Sequence, residues 1–392
     1  MRSDGTPGAP GGIADYREGL GAFLDGHPGL GRWRRAHHPT VEDKLTEHAA
    51  LMRLLNEAGW NRYGWPESVG GLGGDERHRA VYFDELTARD LPVPEQHLML
   101  ETLGPAAVRF APALATRFLP AYLRGDEWWG QGFSEPESGS DLASLRCRAE
   151  RTGEHYVISG QKIWTSHGAT AHRLFCLVRT GTAESRHRGL SMLAVDTDTP
   201  GVTVRPIALA SGRRELAEIF FDGALVPASR LVGAEGQGWT VAMYLLQWER
   251  GMYAWLASTV LLQRLRALRD QIARPGRRPD GAVRRIGQIY LDVIALRCRS
   301  AQTVGRLAGG DTVGPEASAD KVLLATAEQN LYDAARDLLS PQVEVGDGGD
   351  LDEWRADWWY SRAATIMGGS AEVQRGILAD RVLGLPKEGR RP

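Results

Sequence analysis

The chain changes texture twice along its length, and that order limits the folds open to it. From Ile13 to about Arg124 apolar residues recur at helical spacing. In "VEDKLTEHAALMRLLNEAGW", Leu45, Ala49, Met52 and Leu55 share one face and Gly59 ends the run. From Glu127 to Gly236 the segments turn short, β-branched and aromatic, punctuated by Gly, Pro and Asp, as in "EHYVISGQKIWTS", "HRLFCLVRT" and "ELAEIFFDGALVP". They read as strands, and the lack of helical stretches between them predicts an antiparallel barrel or sandwich over parallel βαβ units. Helical spacing returns at Trp239, with helices expected at about 239–273, 281–309, 315–340 and 353–382. The expected class is therefore multidomain α+β. A disordered tail over 1–12 precedes a helical N-terminal domain over 13–126. A β middle domain follows over 127–236, then a C-terminal four-helix bundle over 237–392.

Composition excludes several function classes. With 392 residues, 42% hydrophobic and 24% charged, the chain can bury a sizeable core as a soluble globular protein. A formal net charge of -2 gives no field that would draw it to nucleic acid or an anionic membrane. No apolar run reaches spanning length, and the opening "MRSDGTPGAPGG" lacks the apolar middle of a secretory signal, so a cytoplasmic location is expected. Cys147, Cys176 and Cys298 lie far apart without metal-ligand spacing, so no metal is expected. The basic run Arg274–Arg278 reads as a solvated loop, and "GGLGG" at Gly70–Gly74 lacks the spacing and strand context of a dinucleotide-binding turn.

Three stretches carry candidate chemistry. "GQGFSEPESGSDLAS", Gly130–Ser144, packs hydroxyls and glycines before the first long strand. Such a loop can turn N–H groups and hydroxyls toward a planar ring or phosphates, though composition alone favours a surface loop. "GQKIWTSHGATA" offers the flat Trp164 beside Thr165 and Ser166 at a strand end; core packing is the plainer role for the indole. "ATIMGGSAEVQRGILADRVLG", from Ala364, is a glycine turn feeding a helix N-terminus, a place suited to an anion or a cofactor.

Together and in this order these stretches resemble the acyl-CoA dehydrogenase family. "GFSEPESGSDLAS" follows the family's first signature, with Phe133 where a smaller aliphatic residue is common. "WPESVGGLGG" and "QKIWTS" match further landmarks, and "IMGGSAEVQRGILADRVLGLP" resembles the entry to the flavin-binding helix. The resemblance covers nearly the whole chain and implies the same three-part fold, FAD as cofactor, and an electron-transfer flavoprotein as acceptor. It implies that Phe133, Ser134 and Ser140 lie at the flavin and acyl thioester, that Trp164 and Ser166 flank the flavin ring, and that Gly368, Gly369 and Ser370 meet FAD. Glu372 falls where the family often places a Gln contact, a departure from the pattern.

α,β-Dehydrogenation of a thioester needs a base for the α-proton while the β-hydride leaves to flavin N5. Many relatives carry that carboxylate just before the C-terminal glycine turn. Here the matching residue is Gly368, which cannot accept a proton. Branches that resemble isovaleryl-type enzymes place the base on the first C-domain helix, before an Arg, and "YLLQWERGMYAW" supplies Glu249-Arg250 there. At helical spacing Glu249 neighbours Leu245, Leu246, Met252 and Tyr253, none cationic, which predicts a raised pKa; a solvated Glu, or one paired with a distant Arg, is the plainer alternative. Arg250 is a candidate substrate contact. Two family elements are absent: the Arg-x-x-Phe-Gly hairpin is replaced by "ARPGRRPDGAVRRIG" and the adenine-binding glycine turn by "SPQVEVGDGGDLDEW". These departures leave open a homo- or hetero-oligomer and a non-catalytic partner subunit. A flavoenzyme of specialised metabolism acting on carrier-protein-bound acyl groups, or a monooxygenase, also stays open.

Overall fold

A computed structural model describes residues 12–34, 36–274, 280–346 and 348–386. Apart from Gly12, the expected N-terminal tail lies outside the described residues, as does all of the basic run beyond Arg274. The chain divides into two compact units: 1–82 with 92–248, and 83–91 with 249–392.

The first unit opens with α1 (Ile13–Gly26) and α2 (Val41–Glu57), where the Thr40 hydroxyl caps α2 by accepting from the Asp43 N–H at 3.0 Å. The N-terminal half of α3 (Glu76–Ala88) follows, then α4 (Gln96–Phe110) and α5 (Pro112–Arg124). Pro112 starts α5 and Gly125, at φ 79°, stops it. Seven strands come next: β1 (Trp129–Gly132), β2 (Arg148–Thr152), β3 (His155–Ser166), β4 (Arg173–Arg179), β5 (Leu190–Asp196), β6 (Val202–Ile207) and β7 (Leu216–Pro227). They form one sheet in the order β1-β4-β2-β3-β7-β6, with β5 on β4.

The sheet is mixed rather than purely antiparallel, because β1 and the start of β2 both run parallel to β4. β4 is the all-buried central strand, and an uninterrupted apolar run such as "LFCLV" is what a doubly covered strand requires. Register shifts between Ile158 and Gly160 and between Lys162 and Thr165 curl the long β3–β7 ribbon. Gly160, at φ 139°, lets β3 pass Cys147, whose Cα would lie 2.8 Å from any Cβ there. Trp65, Tyr122, Trp129 and Phe175 build the core shared by α4, α5 and the sheet.

The last helix of this unit, α6 (Gly238–Arg250), carries the chain into the second unit after Trp248. There follow α7 (Met252–Ile272), α8 (Ala282–Ala308), α9 (Ser318–Leu339), the one-turn α10 (Gln342–Val345), α11 (Asp350–Ser361) and α12 (Ala371–Arg381). Ile289, Val293, Leu296, Ser300, Val304 and Leu307 recur at helical spacing on the buried face of α8, and Trp354 of α11 joins the same core. Two expected helices are each divided. Gly251 separates α6 from α7, and a turn over 362–370 separates α11 from α12. Gly368 and Gly369 stand at φ 66° and 87°, left-handed values that no helix interior accommodates. The segment replacing the family's adenine turn is tied down by Arg355, which donates to the carbonyls of Val343 (2.9 Å) and Gly346 (2.6 Å).

Candidate active site

The candidate residues fall into two groups, one in each unit. In the first unit Glu135 organises the signature loop. Its carboxylate accepts from the N–H groups of Arg146 (2.6 Å) and Cys147 (2.9 Å) and from Lys162 Nζ (2.7 Å), which also donates to the Phe133 carbonyl at 3.0 Å. Lys162 is fully buried, so this pair stands only because each charge is paired and hydrogen-bonded. It locks the loop onto β3, a role that sequence reading assigned to neither residue. The Phe133 side chain belongs to the core, leaving its backbone at the loop. Ser134 is half-buried and its carbonyl accepts from Ile163 N–H at 2.9 Å, while Ser140 is exposed.

At the end of β3 the backbone bends sharply. Trp164 sits at φ 63° and His167 at φ 50°, uncommon for any residue with a Cβ and a strain that marks functional turns. The bend presents the indole to solvent: Trp164 is 55% exposed, so it is not core. Ser166 is half-buried between them. The His167 N–H donates to the Glu215 carbonyl at 2.6 Å, and its Nε2 lies 3.1 Å from Glu95 Oε2. Burial alone would raise the Glu95 carboxyl, but Lys44, in ion-pair contact, and His167 outweigh it and hold it well below the usual range. Burial lowers His48 to about 3, and its neutral Nδ1 accepts from the Glu95 N–H at 3.1 Å. Glu95, Lys44 and His48 were not legible as a group, because Glu95, just before α4, meets Lys44 and His48 of α2 only through packing.

The same unit holds a cleft of about 550 Å³ lined by Arg146, Arg148, Arg179 and Arg186. Arg179 is spent on the carbonyls of Leu145, Thr182, Arg186 and Ala143, and Arg186 pairs with Asp141 at 2.8 Å. Arg146 and Arg148 lie exposed at this cleft, Arg148 beside Glu150 at 3.0 Å.

In the second unit the glycine turn meets α6 and α9. A Cβ built on Gly368 would lie 2.6 Å from Glu249 Oε1 and 3.3 Å from Lys321 Cε. The Glu249 carboxylate thus fills the space that a side chain at position 368 would claim. Lys321 Nζ donates to the Ala364 carbonyl at 2.8 Å, fixing the turn to α9. The expectation of a carboxylate free of cationic neighbours needs correcting, since Lys321 and Arg250 both interact electrostatically with Glu249. They come from tertiary packing and from the adjacent residue, which a count of residues three and four away omits. Arg250 is half-buried, and burial lowers its pKa against the pull of Glu249.

Ser370 caps α12, its hydroxyl accepting from the Val373 N–H at 3.3 Å. The Glu372 side chain is 81% exposed, with Arg375 at 4.0 Å. The buried amide at this turn is that of Gln374: it is 1% exposed, its Nε2 would lie 2.2 Å from a Gly369 Cβ, and neither polar atom has a hydrogen-bond partner among the described residues. Gln374 stands one turn beyond Ser370, a spacing that could have singled it out. Taken each by itself, the exposed indole on a strained bend in the first unit suits a flat ring, and the orphaned buried amide beside two left-handed glycines in the second suits a polar ligand edge, features that fit a cofactor such as FAD.

The chain belongs to the acyl-CoA dehydrogenase family. The family's middle-domain model matches residues 130–224 and its C-terminal-domain model residues 236–383. The chain is 38% identical over 384 residues to the acyl-CoA dehydrogenase IpdE1 of Mycobacterium tuberculosis, covering 96% of each chain. Among solved structures it is similar to the Tcur3481-Tcur3483 steroid ACAD (TM-score 0.80, 26% identity, covering 97% of this chain and 99% of that one). It is likewise similar to the ChsE4-ChsE5 complex from Mycobacterium tuberculosis (TM-score 0.77, 25% identity, covering 99% and 100%). Family membership makes it an acyl-CoA dehydrogenase. No helix among the described residues is long and apolar enough to cross a membrane, and no cluster there could hold a metal ion.

Proposed function

We propose that the chain desaturates an acyl-CoA thioester between its α and β carbons, with Glu249 removing the α-proton. One observation carries the reading: Glu249 Oε1 lies 2.6 Å from where a residue-368 Cβ would stand, so a carboxylate from α6 occupies the place vacated by Gly368. FAD supplies the acceptor for the β-hydride in this reading, with Gly368, Gly369, Ser370 and Gln374 as its contacts in the second unit; Ser134, Ser140, Trp164 and Ser166 are, by themselves, the candidate flavin contacts of the first. Ionised Glu249 takes the proton that the thioester carbonyl acidifies, with neighbouring Arg250 as a candidate substrate contact. The basic cleft at Arg146 and Arg148 suits the phosphates of coenzyme A, which favours a CoA thioester over a carrier-bound one.

The steroid ACADs among similar structures support a polycyclic acyl group, and the two-chain names of those structures support a hetero-oligomer. Exposed apolar side chains on α8 (Val283, Tyr290, Leu291) and after α12 (Val382, Leu383, Leu385) give an oligomer surface to bury. An electron-transfer flavoprotein as acceptor rests on family resemblance. The absent hairpin and adenine-turn elements favour one competitor, a partner subunit that holds FAD poorly alone. Anaerobic titration with acyl-CoA thioesters separates the readings. Wild type bleaches at the flavin band, and Glu249→Gln stays yellow and does not bleach; full turnover by that variant overturns the assignment. A colourless chain that takes up flavin only with a second subunit favours the competitor.

A further inference from the structure

Glu249 reaches toward the turn from α6 through three side-chain torsions, so something must hold its carboxylate in place and ionised. Lys321 stands at that point. Its Nζ is 3.8 Å, and Glu249 Oε1 2.6 Å, from the single position a residue-368 Cβ would take. The ammonium is itself anchored, donating to the Ala364 carbonyl at 2.8 Å in the turn that ends at Gly368. A second carboxylate, Glu328, lies two helical turns along α9 and acts on the same ammonium. Burial raises Glu328 to about 7 against the pull of Lys321, with Asp357 and Arg362 also facing it. Around Glu249 the other facing groups are Arg250 and Tyr253.

We infer that Lys321 is the positioning residue of the active carboxylate: anchored to the 362–370 turn, its ammonium holds Glu249 in the space left by Gly368 and keeps it ionised. This deepens the reading of Glu249 as base and rests on it for its catalytic meaning, although the pairing can be tested alone. A lysine that merely braced the turn would leave the Glu249 titration unmoved. The carboxylic C=O band of Glu249, isolated in infrared difference spectra of the flavin-loaded chain against its own Glu249→Gln counterpart, reports that titration directly. In Lys321→Met the midpoint should rise by about one pH unit or more, the usual effect of losing a nearby opposite charge. Lys321→Arg should hold it near the wild-type value, and Lys321→Gln provides a second neutral variant should Met disturb folding.

Bleaching by butyryl-, octanoyl- or 3-indolepropionyl-CoA should follow the same shift. In Lys321→Met it should be slower by about fivefold or more at the wild-type midpoint and recover as pH rises, because a base with a higher pKa is protonated over more of the acid range. An unmoved midpoint in the neutral variants overturns the inference and leaves Glu249 as base untouched. Wild-type bleaching by Glu249→Gln overturns the base, and the infrared midpoint still decides the pairing.

Discussion

Replacing Gly368 by Ala tests the vacated space directly. Two costs follow from the structure. At φ 66° a residue with a Cβ pays about 1–2 kcal/mol for left-handed backbone. The new Cβ would also lie 2.6 Å from Glu249 Oε1, so the carboxylate must retreat by roughly 0.8 Å to reach ordinary contact. The carboxylate is the far end of a flexible chain and can move, so the second cost falls on function rather than on folding. Displacements approaching 1 Å cost up to about 100-fold in rate. Gly368→Ala should therefore lose about 1–2 kcal/mol of unfolding free energy and bleach roughly 10- to 100-fold more slowly, while keeping its flavin. Gly376→Ala is the control, because no atom lies within 4 Å of its Cβ position and it is inside α12. It should gain about 0.5–1 kcal/mol and bleach normally. Denaturant unfolding and stopped-flow bleaching of both variants measure the two effects. Wild-type stability and rate in Gly368→Ala would show that the carboxylate does not occupy that space.

Further outcomes follow from the first unit. Glu95→Gln should cost about 3 kcal/mol at pH 7, since it leaves Lys44 without its ion-pair partner. Because the folded carboxyl is held low, that contribution is present above the unfolded value and fades as pH falls through the folded one, so the variant and wild type should converge in acid melts. Glu101 is the opposite case: burial raises it to about 7 despite Arg79, so its contribution is full below the unfolded value and lost as pH rises toward 7. Glu101→Gln should accordingly gain on wild type by up to about 3 kcal/mol between pH 4.5 and 8, read by thermal melts. Arg146→Ala should raise KM for a CoA thioester several-fold at low salt and less at high salt, leaving kcat unchanged.

Much of the fold was legible because each texture has one physical cause. The apolar run "LFCLV" marks a strand covered on both faces, and the α2 stripe at Leu45, Ala49, Met52 and Leu55 marks a half-buried helix. The parallel pairing of β1 with β4 was not legible, because a four-residue strand carries no sign of its partner's direction. At the candidate site, the vacancy at Gly368 and the carboxylate at Glu249 were both visible in the sequence. Their convergence, across more than a hundred positions, and the arrival of Lys321 from α9 depend on packing between segments distant in the sequence. Gln374 was hidden for a different reason. Its neighbour Glu372 was read at the place of the family's Gln contact, and only burial distinguishes the solvated carboxylate from the enclosed amide.

The central claim is that proton removal belongs to Glu249, and hydrogen exchange at the thioester α-carbon measures it most directly. In deuterated buffer the flavin-loaded wild type should wash deuterium into the α-position of bound acyl-CoA, followed by mass spectrometry. Glu249→Gln, with its flavin retained, should exchange at least about 100-fold more slowly. Equal exchange in the two proteins would place the base elsewhere.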